Sequence, residues 1–237
     1  MTDLTVMSGP NAASVRVNAG RLIMYGVHAP GGLATYGGTL EMEKTVTTTF
    51  SCHAGTVSAS ASQFSDQVSA IDPCVSTFDG DVFSSFTSFS GKPSIQNSIF
   101  AITVNNGEGP LLLGTGSFRF NTVVGLYGMN YNAPIGCADT IDASDNIVAF
   151  NSVATIQCAM NYTLFDSVAG VQPGTGNKAG DVSTFFVDLA NRDFHLSANS
   201  PAIGGAQTGT NVTHDYDGSP RPDPANGPPD MGAFEHP

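Results

Sequence analysis

The sequence has little positive charge and no long apolar run. Only 8 of its 237 residues are Lys or Arg, against 20 Asp and Glu, and the formal net charge is −12. A protein that holds nucleic acid needs a basic face, which this composition does not supply. A membrane-spanning helix needs about 20 consecutive apolar residues, and no stretch of the chain reaches that length. We therefore expect no nucleic-acid partner and no membrane span.

The chain also lacks the 3.6-residue apolar period of amphipathic helices. Its 27 Gly, 14 Pro and 12% charged residues are typical of a turn-rich β protein. The first twenty residues have neither a basic start nor a continuous apolar core, so they show no secretory signal peptide. We expect that a signal has been removed, or that the chain is the C-terminal part of a longer protein.

What the sequence does contain is a repeat of asparagine followed by a short apolar run. The asparagines are Asn97, Asn121, Asn146 and Asn161, and the steps between them are 24, 25 and 15 residues. The longer steps match one coil of a β-solenoid. Because asparagine tolerates positive φ, we expect each one to turn the chain between two strands and to share amide hydrogen bonds along the axis. The alternative is four unrelated turns in an antiparallel β protein.

The N-terminal part shows a tighter period. The strand-like runs that begin at Leu22, Leu40 and Val57 lie 18 and 17 residues apart and predict smaller coils. The stretch 67–91 is polar, aperiodic and interrupted by phenylalanine, and we interpret it as a long loop. The coils are expected to occupy residues 1–190.

The four cysteines are spaced by about one coil. Cys52 and Cys74 are 22 residues apart, and Cys137 and Cys158 are 21 apart. We predict that each pair meets on neighbouring coils and forms a disulfide, which implies an oxidising compartment. Buried free thiols are the main alternative, and a metal site is disfavoured because no CxxC or HxxxH pattern accompanies the cysteines.

The last fifth of the chain has a different pattern. Three segments follow one another: Asp193–Ile203, Asp215–Pro222 and Asp230–Glu235. This order resembles the C-terminal end of secreted bacterial right-handed parallel β-helix proteins, the group often labelled choice-of-anchor beside polysaccharide-lyase-like β-helices. Such tails usually carry an aspartate after Pro-Ala-Ile, whereas Gly204 and Gly205 stand there in this sequence.

The resemblance implies an all-β fold, a right-handed parallel β-helix of about eight to ten coils, in an extracellular or cell-surface setting. A solenoid exposes strand edges at both ends and needs caps. We expect residues 191–237 to form a C-terminal capping tail over the last coil. The N-terminus shows no comparable cap, so we expect either missing residues there or association through that end.

Function does not follow from this fold, which carries lyases, hydrolases, adhesins and inert spacers. We expect a non-catalytic module that is structural or binds a polysaccharide or cell-surface component weakly. The alternative is a polysaccharide lyase or glycoside hydrolase of the pectate-lyase-like β-helix type. A smooth face of Ser, Thr and Asn favours the module, and a cleft lined by paired carboxylates, or by Lys, Arg and His together, favours the enzyme.

Few residues are candidates for catalysis, and we expect no glycan-cleaving turnover. Arg119 should point out of its coil, where it is either solvated or in contact with a ligand. Asp142 and Asp145 belong to the densest acidic set, together with Asp139. An inverting hydrolase needs two carboxylates about 6.5–9.5 Å apart, but in a strand Asp142 and Asp145 face opposite ways. Ordinary Asx turns are the alternative.

The tail contains the remaining candidates. Asp215 and Asp217 begin a pattern like a calcium loop, although the later ligands of an EF-hand do not follow. They are either a weak Ca²⁺ site or a turn that fixes the tail, and no other cofactor is expected. His195 alternates with apolar residues on a presumed edge strand, so we expect an exposed structural histidine.

Overall fold

The computed structural model describes residues 3–9, 12–85, 87–102, 110–126, 135–138, 140–149, 158–225 and 227–237. These residues form an all-β protein in which three sheets wind around one axis as a parallel β-helix of about eight coils. The fold class predicted from the sequence is confirmed. Asp139 lies outside the described residues.

Each coil contributes one strand to each of three sheets, which we call A, B and C. Sheet A contains Asp3–Gly9, Ala12–Ala19, Leu33–Thr35, Phe50–Cys52, Val68–Ala70, Thr87–Phe89, Leu111–Leu112 and Gly136–Cys137. Sheet B contains Arg21–Tyr25, Thr39–Glu43, Thr56–Ser60, Val75–Asp79, Lys92–Gln96, Gly116–Arg119, Ile141–Ser144 and Met160–Asn161. Sheet C contains His28–Ala29, Val46–Thr47, Gln63–Phe64, Val82–Phe83, Ile99–Ile102, Thr122–Gly125, Ile147–Ala149, Leu164–Asp166 and Lys178–Gly180.

The interior is filled by the inward set of alternating side chains. In the strand Thr39–Glu43, Leu40 and Met42 are buried while their neighbours point outward. Phenylalanines of successive coils meet along the centre, and the ring of Phe83 stacks on Phe64 and Phe100 at centroid distances of 5.1 and 4.5 Å. Such aromatic pairs add about 0.5–1.5 kcal/mol to the stabilisation from burial alone.

The stretch 67–91 is a regular coil, so the long loop predicted there is wrong. Its strands are Val68–Ala70, Val75–Asp79, Val82–Phe83 and Thr87–Phe89. Phe78, Phe83 and Phe89 are completely buried, and each lies on a different strand. The period is hidden because strands of two to five residues change direction before an alternating pattern can be recognised.

A single residue with positive φ turns the chain from sheet B to sheet C in each coil. These residues are Gly26, Lys44, Ala61, Gly80, Asn97, Phe120, Asp145 and Tyr162, and Gly176 has the same position before the last strand of sheet C. In most coils the side chain after the turn accepts the backbone N–H of the equivalent residue one coil earlier. The accepting residues are Ser62, Asp81, Ser98, Asn121, Asn146 and Asn177. We call this row the corner ladder.

The asparagine repeat therefore has two roles rather than one. Only Asn97 has positive φ, whereas Asn121 and Asn146 stand one position later in the corner ladder. The predicted amide hydrogen bond joins Asn121 Nδ2 to Asn146 Oδ1 at 3.3 Å. Asn161 precedes the turn at Tyr162 and accepts the N–H of Thr175 at 2.8 Å.

Glycine dominates the opposite corner, between sheets A and B. Gly20, Gly38 and Gly55 all have positive φ, which glycine adopts without steric cost. A Cβ atom at Gly55 would collide with the carbonyl oxygen of Gly38, and one at Gly38 with that of Gly20. The backbones of successive coils are therefore stacked too closely here for any side chain.

Both predicted disulfides are confirmed. Cys52 is bonded to Cys74 and Cys137 to Cys158, with Cα–Cα distances of 6.0 and 4.8 Å. No cysteine is free in the described part of the chain. Each bridge joins neighbouring coils near sheet A, as the spacing of about one coil predicts.

The tail packs against the side of the solenoid, on the outer face of sheet C. The tail begins after Gly180. It contains a 3-10 turn, Val182–Thr184, and an antiparallel pair of strands, Phe186–Asp188 and Asp193–Leu196. A predicted boundary at residue 190 would divide this hairpin. The outward side chains of sheet C, including Ile99, Val124, Ile147 and Leu164, form a second buried cluster with Phe194, Ala202, Met231 and Phe234.

A buried ion pair holds the tail segments together. The guanidinium of Arg221 donates to Glu235 Oε1 at 2.7 Å and to two backbone carbonyls, and it lies over the Phe120 ring at 4.2 Å. Burial raises the pKa of Glu235 to about 7, against the opposing charge of Arg221 and two backbone donors. The second and third of the tail segments that the sequence shows in order thus meet at one polar centre.

At the N-terminal end, sheet A begins with a strand that the sequence does not predict. Asp3–Gly9 runs antiparallel to Ala12–Ala19. In the part of the chain that the structure describes, sheets B and C begin with Arg21–Tyr25 and His28–Ala29, each paired on one side only. None of the described helices is long or apolar enough to cross a membrane.

Candidate functional site

The outer face of sheet B carries a row of small hydroxyl side chains. The strand register aligns Ser58, Thr77, Ser94 and Ser117 in four successive coils. All four are at least partly exposed, and Ser117 Oγ donates to Ser94 Oγ at 3.3 Å. We call this row the hydroxyl column. Thr56 stands beside it on the strand of Ser58, and Thr39 is paired with Thr56 on the preceding coil.

Charged pairs stand at both ends of the hydroxyl column. Arg21 and Glu41 form an exposed pair with nitrogen–oxygen distances of 2.6 Å. Arg119 and Asp142, on neighbouring coils, form an ion pair at the other end. The two predicted catalytic candidates on this face are therefore each other's partners.

Asp145 has a different environment from Asp142. It occupies the positive-φ turn of its coil and is buried. Its Oδ1 accepts the backbone N–H of Gln207 at 2.7 Å, and its carbonyl oxygen accepts that of Gly232 at 2.8 Å. Burial raises the pKa of this carboxyl, while its hydrogen bonds act in the opposite direction. Asp145 thus anchors the tail, and it does not share a cleft with Asp142.

A groove of about 390 Å³ lies where the tail meets the outer face of sheet C. Val82, Ile99 and Ala101 line one wall. The other wall is made by the tail residues Asn191, Arg192, Asp193, Phe194, His195, Tyr216, Asp217 and Phe234. We call it the tail groove. Apolar and aromatic groups lie inside it, and charged groups lie at its mouth.

His195 is held between two carboxylates at the mouth of the tail groove. Its Nδ1 lies 2.5 Å from Asp193 Oδ1, and its Nε2 lies 2.7 Å from Asp217 Oδ2. The imidazole packs on Phe234 at a centroid distance of 4.3 Å. Burial opposes the charge of the ring, but the hydrogen bonds and charges of both aspartates outweigh it and raise the pKa of His195. The same contact lowers the pKa of Asp193.

The mouth also carries polar groups that have no protein partner in the described ranges. Each aspartate uses one side-chain oxygen for His195, which leaves Asp193 Oδ2 and Asp217 Oδ1 as further acceptors on side chains that are partly exposed. The Tyr216 hydroxyl and the Arg192 guanidinium are donors without a bonded acceptor among the same residues. Arg192 has a φ of 62°, a conformation that costs an L-residue about 1–2 kcal/mol.

Asp215, one of the two calcium candidates, is a structural turn residue. Its Oδ1 accepts the backbone N–H groups of Asp217 and Ser219, and its Oδ2 accepts that of Glu235. Asp217 points instead towards His195. Across the described residues, no group of three or more His, Cys, Asp or Glu side chains is arranged to hold a metal ion.

Sequence reasoning missed the tail groove because its parts are far apart in the chain. Asp193 and His195 are two residues apart on one strand, so they share a face, and that spacing is a usable local signal. Asp217 is 22 residues further on and comes beside His195 only when the tail folds back. Tyr216 and the wall from sheet C likewise depend on the tertiary packing.

Comparisons with known proteins add no family. The chain matches no protein-family model. A search of curated proteins finds no match either. The fold and the two surfaces therefore define the protein as a parallel β-helix with a laterally packed tail.

Proposed function

We propose that this chain is a non-catalytic, extracellular or cell-surface β-helix module of the secreted, choice-of-anchor type. It contacts neutral glycan chains weakly through the outer face of sheet B. The observation that carries the proposal is the hydroxyl column. Hydroxyls of four aligned coils repeat at the spacing of parallel strands, about 4.8 Å, and they are able to exchange hydrogen bonds with successive sugar hydroxyls along an extended chain.

Two further features support this proposal. The disulfides are of the kind that persists in oxidising compartments. The net charge of −12 repels polyuronates, which favours neutral glycans over acidic ones. On the outer face of sheet B, Arg119 and Asp142 neutralise each other, so neither is left as an uncompensated charge beside a sugar.

The test is affinity electrophoresis in gels that contain neutral or acidic polysaccharides, with and without Ca²⁺. We expect the chain to be retarded by a neutral polysaccharide. The retardation should disappear when Ser58→Ala, Thr77→Val, Ser94→Ala and Ser117→Ala are combined, because these changes remove the hydroxyls and keep the shape. The matched control combines Ser51→Ala, Ser69→Ala and Ser88→Ala, which lie in register on sheet A.

The alternative, a polysaccharide lyase or glycoside hydrolase, is tested with the same polysaccharides. Unsaturated products are followed by absorbance and reducing ends by colorimetry. We expect no turnover. Reproducible turnover that is lost in Arg119→Ala or Asp142→Ala would overturn the proposal in favour of the enzyme, and retardation unchanged in the four-site variant would exclude sheet B as the binding face.

A further inference from the structure

The tail groove has the size and the lining of a small-ligand site. Its volume of about 390 Å³ lies within the range of about 300–1,000 Å³ that is usual for such sites. Apolar groups from sheet C, with Ile99 among them, face the ring of Tyr216 across the groove. A few polar groups at the mouth converge on the same space, which is the pattern of a site that orients a ligand.

The charges around the mouth cancel when His195 is protonated. Asp193 and Asp217 supply two negative charges, and His195 and Arg192 supply two positive ones. An anionic ligand would meet both carboxylates, and a cationic ligand would meet the imidazolium and the guanidinium. The balance therefore favours a ligand without net charge.

The free polar atoms are suited to a ligand that is both donor and acceptor. Asp193 Oδ2 and Asp217 Oδ1 only accept hydrogen bonds, whereas the Arg192 guanidinium only donates. Hydrogen bonds to charged groups are stronger than those between neutral groups. Vicinal hydroxyls satisfy both kinds of partner, and the apolar face of a sugar ring matches the aromatic wall.

We propose that the tail groove binds a neutral mono- or disaccharide, whose hydroxyls donate to Asp193 and Asp217 and whose apolar ring face packs on Tyr216. Arg192 donates to a sugar oxygen from its turn. The His195 ring holds the two carboxylates apart in the arrangement that the ligand needs. This site is separate from the hydroxyl column and does not depend on it.

The experiment follows the imidazole signals of His195 by NMR while maltose, cellobiose, lactose and mannobiose are added one at a time, with calorimetry for the affinity. We expect at least one of these probes to shift His195. Asp217→Asn keeps the shape but removes the charge, and it should weaken binding about tenfold, the effect of losing one charged hydrogen bond. Tyr216→Phe is a second variant that retains the ring and removes only the hydroxyl donor, and it should weaken binding by a smaller factor.

The four-site variant of the hydroxyl column is the matched control, and it should bind the disaccharide with unchanged affinity. The retardation by polysaccharide tests the hydroxyl column, and the binding of disaccharide tests the tail groove, so that either proposal can be contradicted without the other. The proposal is overturned if none of the four probes shifts His195, or if a folded Asp217→Asn chain binds as tightly as the parent. Tighter binding of galacturonic acid or of glucosamine than of the neutral probes would also overturn it.

Discussion

At the scale of single residues, the corner ladder explains why asparagine recurs where it does. Asn146 accepts the backbone N–H of Asn121 at 2.9 Å and donates to the carbonyl oxygen of Phe118 at 3.0 Å. One side chain thus satisfies two buried backbone groups. A serine in the same row, such as Ser98, accepts from Asp81 and donates to a carbonyl of its own coil. The asparagine side chain therefore makes two hydrogen bonds to the backbone of the preceding coil, whereas the serine side chain makes one.

Replacing Asn146 with alanine should therefore be costly. The change leaves the N–H of Asn121 and the carbonyl oxygen of Phe118 buried without these partners, and each unsatisfied group costs about 1–3 kcal/mol. Urea unfolding measures the loss. Asn161→Ala is the control, because Asn161 is exposed and should change the midpoint much less. Equal losses for the two variants would contradict the role of the ladder.

The contacts of His195 make a prediction about pH. Because its pKa in the folded protein is raised above the ordinary value of about 6.5, its contribution to stability is complete below that value. The contribution is lost as the pH rises through the folded-state pKa. The difference in Tm between the parent and His195→Gln should therefore be largest in mild acid and should vanish in alkali. His28→Gln, at an exposed position of sheet C, is the control.

An NMR titration of His195 checks the same point directly. A midpoint below about 6.5 would show that burial wins over the two aspartates. A Tm difference that does not vary between mild acid and alkali would contradict the prediction in a second way. Either result would also argue against a protonated His195 at the mouth of the tail groove. The charge balance that favours a ligand without net charge would then be lost.

At the scale of the elements, the two corners of each coil follow different rules. The corner between sheets B and C uses a polar ladder, and the corner between sheets A and B uses close backbone stacking at glycine. At Gly55 the constraint is twofold, since φ is 96° and a Cβ atom would collide with the carbonyl oxygen of Gly38. At Gly26 φ is 62° but no heavy atom lies within 4 Å of the added carbon.

Substitutions at these two glycines distinguish the cost of the backbone conformation from the cost of a steric collision with the neighbouring coil. Gly26→Ala should cost only the backbone term, about 1–2 kcal/mol for an L-residue in the left-handed region. Gly55→Ala should cost clearly more, because neighbouring coils must also move apart. Chemical unfolding of the two variants gives the comparison. Similar losses at both positions would show that the coils are not fixed at their observed spacing.

The sequence predicts the fold and the disulfides because both depend on a period. Cysteines one coil apart meet whatever the exact register is, so the spacings of 22 and 21 residues are sufficient. The predicted turn position is wrong by one residue at Asn121 and Asn146. The positive-φ position and the corner-ladder position are adjacent in the chain, and asparagine is suited to both. The coil at 67–91 was missed because its inward phenylalanines fall on separate short strands. Asp193, His195 and Asp217 could not be brought together without knowing where the tail returns.

At the scale of the whole molecule, the tail covers the side of the solenoid, and this changes what its removal exposes. Ile99, Ile147 and Leu164 are outward residues of sheet C that are buried only because the tail lies on them. The tail also bonds across to the coils, with His214 Nε2 lying 3.1 Å from Asp79 Oδ2 and the N–H of Ala233 donating to Thr122 at 3.0 Å. An exposed apolar face of this size promotes association.

Deleting residues 181–237 should therefore cause lateral association through sheet C rather than growth of filaments from the ends. Light scattering and electron microscopy of the shortened chain test this, and two rescue variants distinguish the surfaces. Ile99→Lys with Ile147→Lys places charge on the uncovered face and should restore a monomer. Ile23→Lys charges the first strand of sheet B, where Ile23 is 59% exposed, and should not restore it. If Ile23→Lys alone gave a monomer, the shortened chains would associate through the N-terminal edge. The tail would then be needed to form the tail groove and would not be needed to keep the coils soluble.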